Sequence, residues 1–330
     1  MGTMSEPSAG EGPGVTRILL AFAAVYLSWG TTYLATRIGV GLEHMPPALF
    51  GGSRVALAGC ILLGYQWLIG TPLRMPRHEL GWVIVSALLL FVGGNGLINV
   101  AQQTVESGNA AILVATTPLW LALLEMLYPW GERLLPRGWL GLLIGLSGVL
   151  VLQHPADLSQ IRGPLYALIS AFCWAIGSLV LRYHRPSASH LVTAAVQMIV
   201  GGTCLSLVGL LAGEASQFPE RITPRAVGAY AYLLVLGSLV GFVAFNWLLG
   251  HVSATLVGTY AYVNPLIAVL VGWLIGGEAL TPRTIAGMAV ILAGVALVRG
   301  ACRPRKVPTA HSPASGLTGY WNNPTAGSEK

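Results

Sequence analysis

The chain has 330 residues, 54% of them hydrophobic and 9% charged, with a formal net charge of +6 and a mean hydropathy of +0.69. Soluble domains carry roughly a quarter charged residues, so these values exclude an ordinary soluble globular protein. Four cysteines, Cys60, Cys173, Cys204 and Cys302, form no C-x-x-C pair, which suggests neither a disulfide framework nor a metal site.

Crossing a bilayer as a helix takes about 20 apolar residues, and blocks of that length fill the chain. Residues 1–16 are rich in Gly, Pro and Ser, read as a disordered N-terminal segment, and carry no cleavable signal peptide. Ten spans follow, at 17–39, 47–69, 79–101, 108–128, 137–153, 162–182, 190–212, 226–250, 253–275 and 282–299. The expected fold class is all-α, a polytopic membrane protein of ten transmembrane helices. The connecting loops are short, and residues 300–330 read as a disordered, Pro/Ser/Gly-rich tail. Its basic start is either a topology anchor or a contact for anionic lipid head groups.

Lys and Arg concentrate on the cytoplasmic side of a membrane protein. With a cytoplasmic N-terminus, twelve fall on that side, Arg17, Arg77, Arg137 and Arg182 among them, and five on the other, Arg37, Arg162, Arg221, Arg225 and Arg283. Both termini are therefore expected in the cytoplasm. The positive charge is read as a topology signal, without a nucleic-acid partner behind it.

The chain repeats itself. Gly131-Glu132-x-Leu134-x-Pro136-Arg137 matches Gly277-Glu278-x-Leu280-x-Pro282-Arg283, and Gly141 and Gly148 recur as Gly287 and Gly294. Arg17, Trp29 and Arg37 recur as Arg162, Trp174 and Arg182, and Ser107 recurs as Ser253. Two halves are expected, 17–153 and 162–299. Each holds five spans, an odd number, so the second enters the membrane from the opposite side. Inverted repeats of this kind are the architecture of many secondary transporters, in which two similar halves open a midplane site alternately to each side.

Three stretches carry a family likeness: WGTTYLATRIGV from Trp29, GNGLINVAQQTVESGNAAILVATTPLW from Gly94, and SATLVGTYAYVNP from Ser253. Across roughly residues 17–299 the chain resembles EamA-type members of the drug/metabolite transporter superfamily, with its closest likeness to the YedA-like branch of bacterial exporters. The resemblance implies a ten-helix inner-membrane carrier with a central cavity, exporting amino acids, metabolites or drugs by alternating access. Glu125 in the fourth span departs from that pattern, where an apolar or small residue is expected.

Polar residues within spans are the candidate site, since hydrocarbon penalises them unless they face protein or water. Asn95, Asn99 and Gln102 share a helix face in the third span, as cavity lining or as hydrogen-bond glue between helices. Gln102 and the adjacent Gln103 read as lying at the helix end. Tyr260 and Asn264 share a face just before Pro265, with Tyr262 pointing elsewhere. Pro118 and Pro265 are candidate helix kinks. Trp29, Tyr33 and Trp174 form a candidate aromatic wall, against a packing alternative. Arg54 either holds a substrate carboxylate or ties helices together. Glu125 is a candidate coupling site, or an ionised partner of Arg54. Glu132 and Glu278 read as turn or capping residues. The Gly141/Gly145 and Gly237/Gly241 pairs suit close helix packing, within one chain or in a homodimer.

An intramembrane enzyme would need paired aspartates, a Ser–His pair or H-E-x-x-H. The single aspartate, Asp157, lies in a loop, and His78-Glu79 lacks the second histidine. No P-loop or other cofactor motif is present. The reading is a secondary-active transporter of a small molecule, with a channel-like permease as the alternative.

Overall fold

Hydrocarbon offers no partner to a peptide group, so a chain this apolar must satisfy its backbone within helices. The computed structural model describes residues 14–127, 133–152, 161–184, 186–252, 259–298 and 302–303, and these are helical almost throughout. In chain order the apolar helices are α1 (Val15–Leu42), α2 (Pro47–Leu68), α3 (Arg77–Ala101), α4 (Ser107–Leu127), α5 (Pro136–Leu152), α6 (Arg162–Tyr183), α7 (His190–Leu211), α8 (Pro224–Phe245), α9 (Tyr260–Leu274) and α10 (Pro282–Val298). Among the described residues, seven are long and apolar enough to cross a membrane, while α5, α9 and α10 are shorter, at 17, 15 and 17 residues. The α8 helix continues to His251. Residues 253–258, Ser253 among them, lie outside the described residues, as do Gly131, Glu132 and Asp157.

Helix starts follow local chemistry. Proline opens α2, α5, α8 and α10, where its missing N–H is no loss and its fixed φ already suits the helix. Thr223 and Ser189 cap α8 and α7 through their hydroxyls. Two helices are instead capped from a distance by carboxylates. Glu214 accepts from Ala48 N at 3.0 Å and Leu49 N at 2.8 Å, and Glu278 accepts from Ser107 N at 2.7 Å and Gly108 N at 3.0 Å. The turn glutamate Glu278 thus caps α4 across the molecule.

Three helices contain wide π turns, at Arg37–Leu42, Leu88–Gly96 and Leu233–Val240. Each π turn holds one residue more than α-helical winding, and such turns gather at functional sites. Those in α3 and α8 lie mid-helix, beside the cavity described below.

Glycines set the packing. In α2 against α7, a Cβ at Gly59 would stand 2.8 Å from Ala195 O. In α5 against α10, one at Gly141 would stand 2.8 Å from Gly294 O. Backbones therefore meet closely in both pairs, as small residues allow in membranes. Gly145 meets Leu119 of α4, and Gly237 meets Thr32 of α1, so these glycine pairs pack within the chain. Leu143, Leu150, Leu266 and Leu270 are exposed on the outer helix faces, where lipid would cover them.

A two-residue antiparallel ladder joins β1 (Arg133–Leu134) to β2 (Cys302–Arg303). The tail read as disordered from residue 300 thus begins with an ordered step, because Cys302–Arg303 finds an edge to pair with. Residues 304–330 lie outside the described residues.

Candidate functional site

A cavity of about 760 Å³ lies among the helices, lined by side chains from every helix except α5. Trp29, Tyr33, Arg54, Asn95, Asn99, Glu125, Trp174, Tyr260 and Asn264 all line it, as do Pro118 and Pro265. Eight lining residues of α4 run from Ala111 to Glu125, about 21 Å of helix at 1.5 Å per residue. The cavity is therefore long as well as wide, and its volume suits a small organic molecule.

Its middle is aromatic. The Trp29 ring lies 5.2 Å from Tyr260, 5.6 Å from Phe242 and 5.1 Å from Phe245, the first two edge-on. Its Nε1 donates to Gly237 O at 3.1 Å. This carbonyl belongs to the π turn of α8, so the wide turn helps to hold the ring. Across the cavity, a Cβ at Gly94 would come within 3.0 Å of Trp174, so the missing side chain makes room for the indole. Ser170 Oγ donates to Gly94 O at 2.8 Å, which ties the π turn of α3 to α6.

Arg54 is the basic group at mid-span, 6% exposed. Nη1 donates to Ser238 Oγ at 2.8 Å and Leu233 O at 3.4 Å, and Nη2 to Asn95 Oδ1 at 3.4 Å. Both π turns therefore supply acceptors to one guanidinium. Asn99 donates to Pro47 O at 3.2 Å and is 1% exposed, so it joins α3 to α2 while bordering the cavity. Asn264 is also buried, and its Oδ1 accepts from no described residue. Pro265 sits inside α9, where it cannot donate to the carbonyl of Ala261, itself a lining residue. Pro118 stands in the first turn of the segment Thr117–Leu127, after a break at Ala115 and Thr116.

The two ends of the cavity differ. At one, Arg37 donates to Gln102 O at 2.7 Å and Gln103 O at 2.6 Å, while Gln102 Nε2 donates to Tyr33 O at 2.8 Å. These bonds tie α1 to α3. At the other end, Glu125 pairs with Arg182, a buried carboxylate against a guanidinium that is 53% exposed. Arg182 also lines the cavity, so this end adjoins the surface.

Three readings of the sequence change here. Glu125 is paired with Arg182 rather than Arg54, because Arg182 reaches it from the last turn of α6. Tyr262 lines the cavity together with Tyr260 and Ala261, since the first turn of α9 offers more than one side to it. Gln102 ends its helix as expected, yet borders the cavity as well. Arg182 escaped notice because an arginine at a span end looks like a topology charge. Its recurrence from Arg37 was the available signal, since a repeated arginine invites the question of what each copy binds.

The chain matches the model of the EamA-like transporter family twice, over residues 16–153 and 161–300. It is 37% identical over 282 residues to the uncharacterized inner membrane transporter YedA of Escherichia coli K12, covering 84% of this chain and 89% of that one. It is 26% identical over 285 residues to the uncharacterized transporter YoaV of Bacillus subtilis, covering 85% and 96%. A protein of known crystal structure shares its fold with a TM-score of 0.60 at 22% identity, over 86% of this chain and 97% of the other.

Proposed function

Because this chain belongs to the EamA-like transporter family, we propose that it is a secondary-active exporter working by alternating access of two inverted five-helix halves. Its cargo is a small metabolite, amino acid or drug, and its place is the bacterial inner membrane, as the name of the E. coli relative indicates for that protein. The three shorter helices complete ten spans in this reading: α5 and α10, at 17 residues, are near the lower limit for crossing, and α9 has 15 among the described residues.

One observation carries the reading: an elongated cavity lined from both halves of the chain, with α1 bonded to α3 at one end and the surface adjoining the other. The packing supports the inverted halves. α2 packs on α7 and α5 on α10, while α1 on α9 is mirrored by α6 on α4. Exchanging each helix for the one five places along leaves this pattern unchanged, as a pseudo-two-fold axis requires. With both termini cytoplasmic, the tied end faces the periplasm and the Glu125–Arg182 end faces the cytoplasm, ready to load cargo for export.

Countertransport in proteoliposomes tests this reading. Candidate cargo should enter saturably and faster when the same compound is preloaded on the far side. Flux that neither saturates nor responds to preloading would sink the carrier and leave the permease. A C-terminal reporter should read cytoplasmic.

A further inference from the structure

The charges in the cavity do not balance. Glu125 and Arg182 neutralise each other at the surface end. Arg54 lies deeper, 6% exposed, and no carboxylate among the described residues pairs with it. Its acceptors are a hydroxyl, an amide oxygen and a backbone carbonyl, all neutral. A buried cation without a counter-charge is costly, the more so at membrane depth. Asn95 and Ser238 soften that cost without cancelling the charge. Gln197, at roughly the matching position of the second half, donates instead to Ser86 Oγ at 2.8 Å, so it supplies no balancing acid there.

The guanidinium has donors to spare. Nη1 is engaged by Ser238 and Leu233, but Nη2 makes one contact of 3.4 Å, and Nε is buried without any partner. Nε and Nη2 share one edge of the guanidinium. That edge presents two parallel N–H groups, the fork that fits both oxygens of a carboxylate. The cavity that Arg54 lines is also lined by Phe91, Val55, Leu233 and Phe242, with the Trp29 ring against Phe242. A cavity of about 760 Å³ is far larger than an inorganic anion needs.

We propose that the cargo is an organic monoanion, its carboxylate received by Arg54 and its apolar body held against the aromatic wall of Trp29, Phe242 and Tyr260. This rests on the carrier reading and narrows it. Glu125, the one acid lining the cavity among the described residues, is already engaged by Arg182, so no described carboxylate there awaits a cargo ammonium group. An organic anion fits this balance better than a cation or a zwitterion.

The test is binding to the purified, detergent-solubilised chain, read as ligand-induced thermal stabilisation, with potassium chloride as a control. The probes are matched triples of one skeleton: 3-phenylpropanoate, its amide and its amine, and the corresponding triple on a hexyl chain. At least one carboxylate should bind about tenfold tighter than its amide and amine. Arg54→Gln should remove that preference, and Arg54→Lys should keep part of it. If Arg54→Gln does not fold, the wild-type triples and Arg54→Lys still decide. The proposal is overturned if no carboxylate stabilises the protein, if the amine binds as tightly, if chloride alone reproduces the effect, or if Arg54→Gln keeps the preference. A carboxylate that binds but shows no countertransport would remove the carrier reading alone. Countertransport confined to cations would remove this inference alone.

Discussion

Trp29 shows how a single side chain is fixed before any cargo arrives. Its indole is held by one hydrogen bond to the Gly237 carbonyl and by three neighbouring rings. Such ring pairs contribute roughly 0.5–1.5 kcal/mol each beyond their area, so the wall is rigid rather than adaptable. Trp29→Ala and Tyr260→Ala should therefore insert normally yet weaken cargo recognition, raising KM by about tenfold, the effect of losing ~1.4 kcal/mol. Wild-type kinetics in both variants would take them out of the site. Glu125 acts differently, because its carboxylate is paired with Arg182. If this pair couples transport, Glu125→Gln should abolish pH-driven uptake into inverted vesicles while leaving exchange at equal pH intact. Retained pH dependence would move the coupling elsewhere.

Between elements, the tied end of the bundle depends on carboxylates that cap helices from another part of the chain. Glu278 holds the first turn of α4, and in return the Ala279 amide donates to Glu106, just before that turn. The exchange clasps the loop before α4 to the loop before α10. Burial and the neighbouring Glu278 push the Glu106 carboxyl above its ordinary value, while the Ala279 amide and Arg37 pull it partly back. An acid that binds its proton more tightly folded than unfolded gives stability that is present at low pH. That stability fades as pH rises from the ordinary carboxylate range through the folded value. Glu106→Gln should accordingly flatten the fall of Tm across that window. A Tm profile unchanged in the variant would show that the clasp does not titrate. Glu278→Gln, which weakens the cap on α4, should lower Tm.

For the whole molecule, alternating access predicts that accessibility changes sides. A cysteine at Leu121, which lines the cavity, should react with a membrane-impermeant thiol reagent from the cytoplasmic side and be protected by cargo. Labelling only from the periplasmic side would reverse the orientation. Much of this organisation was legible in the sequence. Lipid forces long apolar helices, so their boundaries show in composition, and it penalises polar groups, so Asn95, Arg54 and Tyr260 stood out. Partnership was not legible. Whether Arg54 or Arg182 meets Glu125 depends on how α2, α4 and α6 pack, and no local pattern carries that. Nor does periodicity reveal a π turn. Helical phase separates Tyr262 from Tyr260, whereas the start of α9 meets the cavity on more than one side.

The π turns of α3 and α8 have a bearing on how this cavity can diversify. Each adds to the winding of its helix, and the wide turn in α3, Leu88–Gly96, takes in Asn95 and leads into Asn99 and Gln102. Deleting one residue there would restore α-helical winding and rotate everything beyond it by about 100°. Asn95 would swing away from Arg54, and a flanking glycine, Gly94 or Gly96, would take its place. Cargo preference in this lineage can thus shift through a one-residue gain or loss, with no substitution in the lining at all. Homologues should be compared there for gaps before they are compared for side chains.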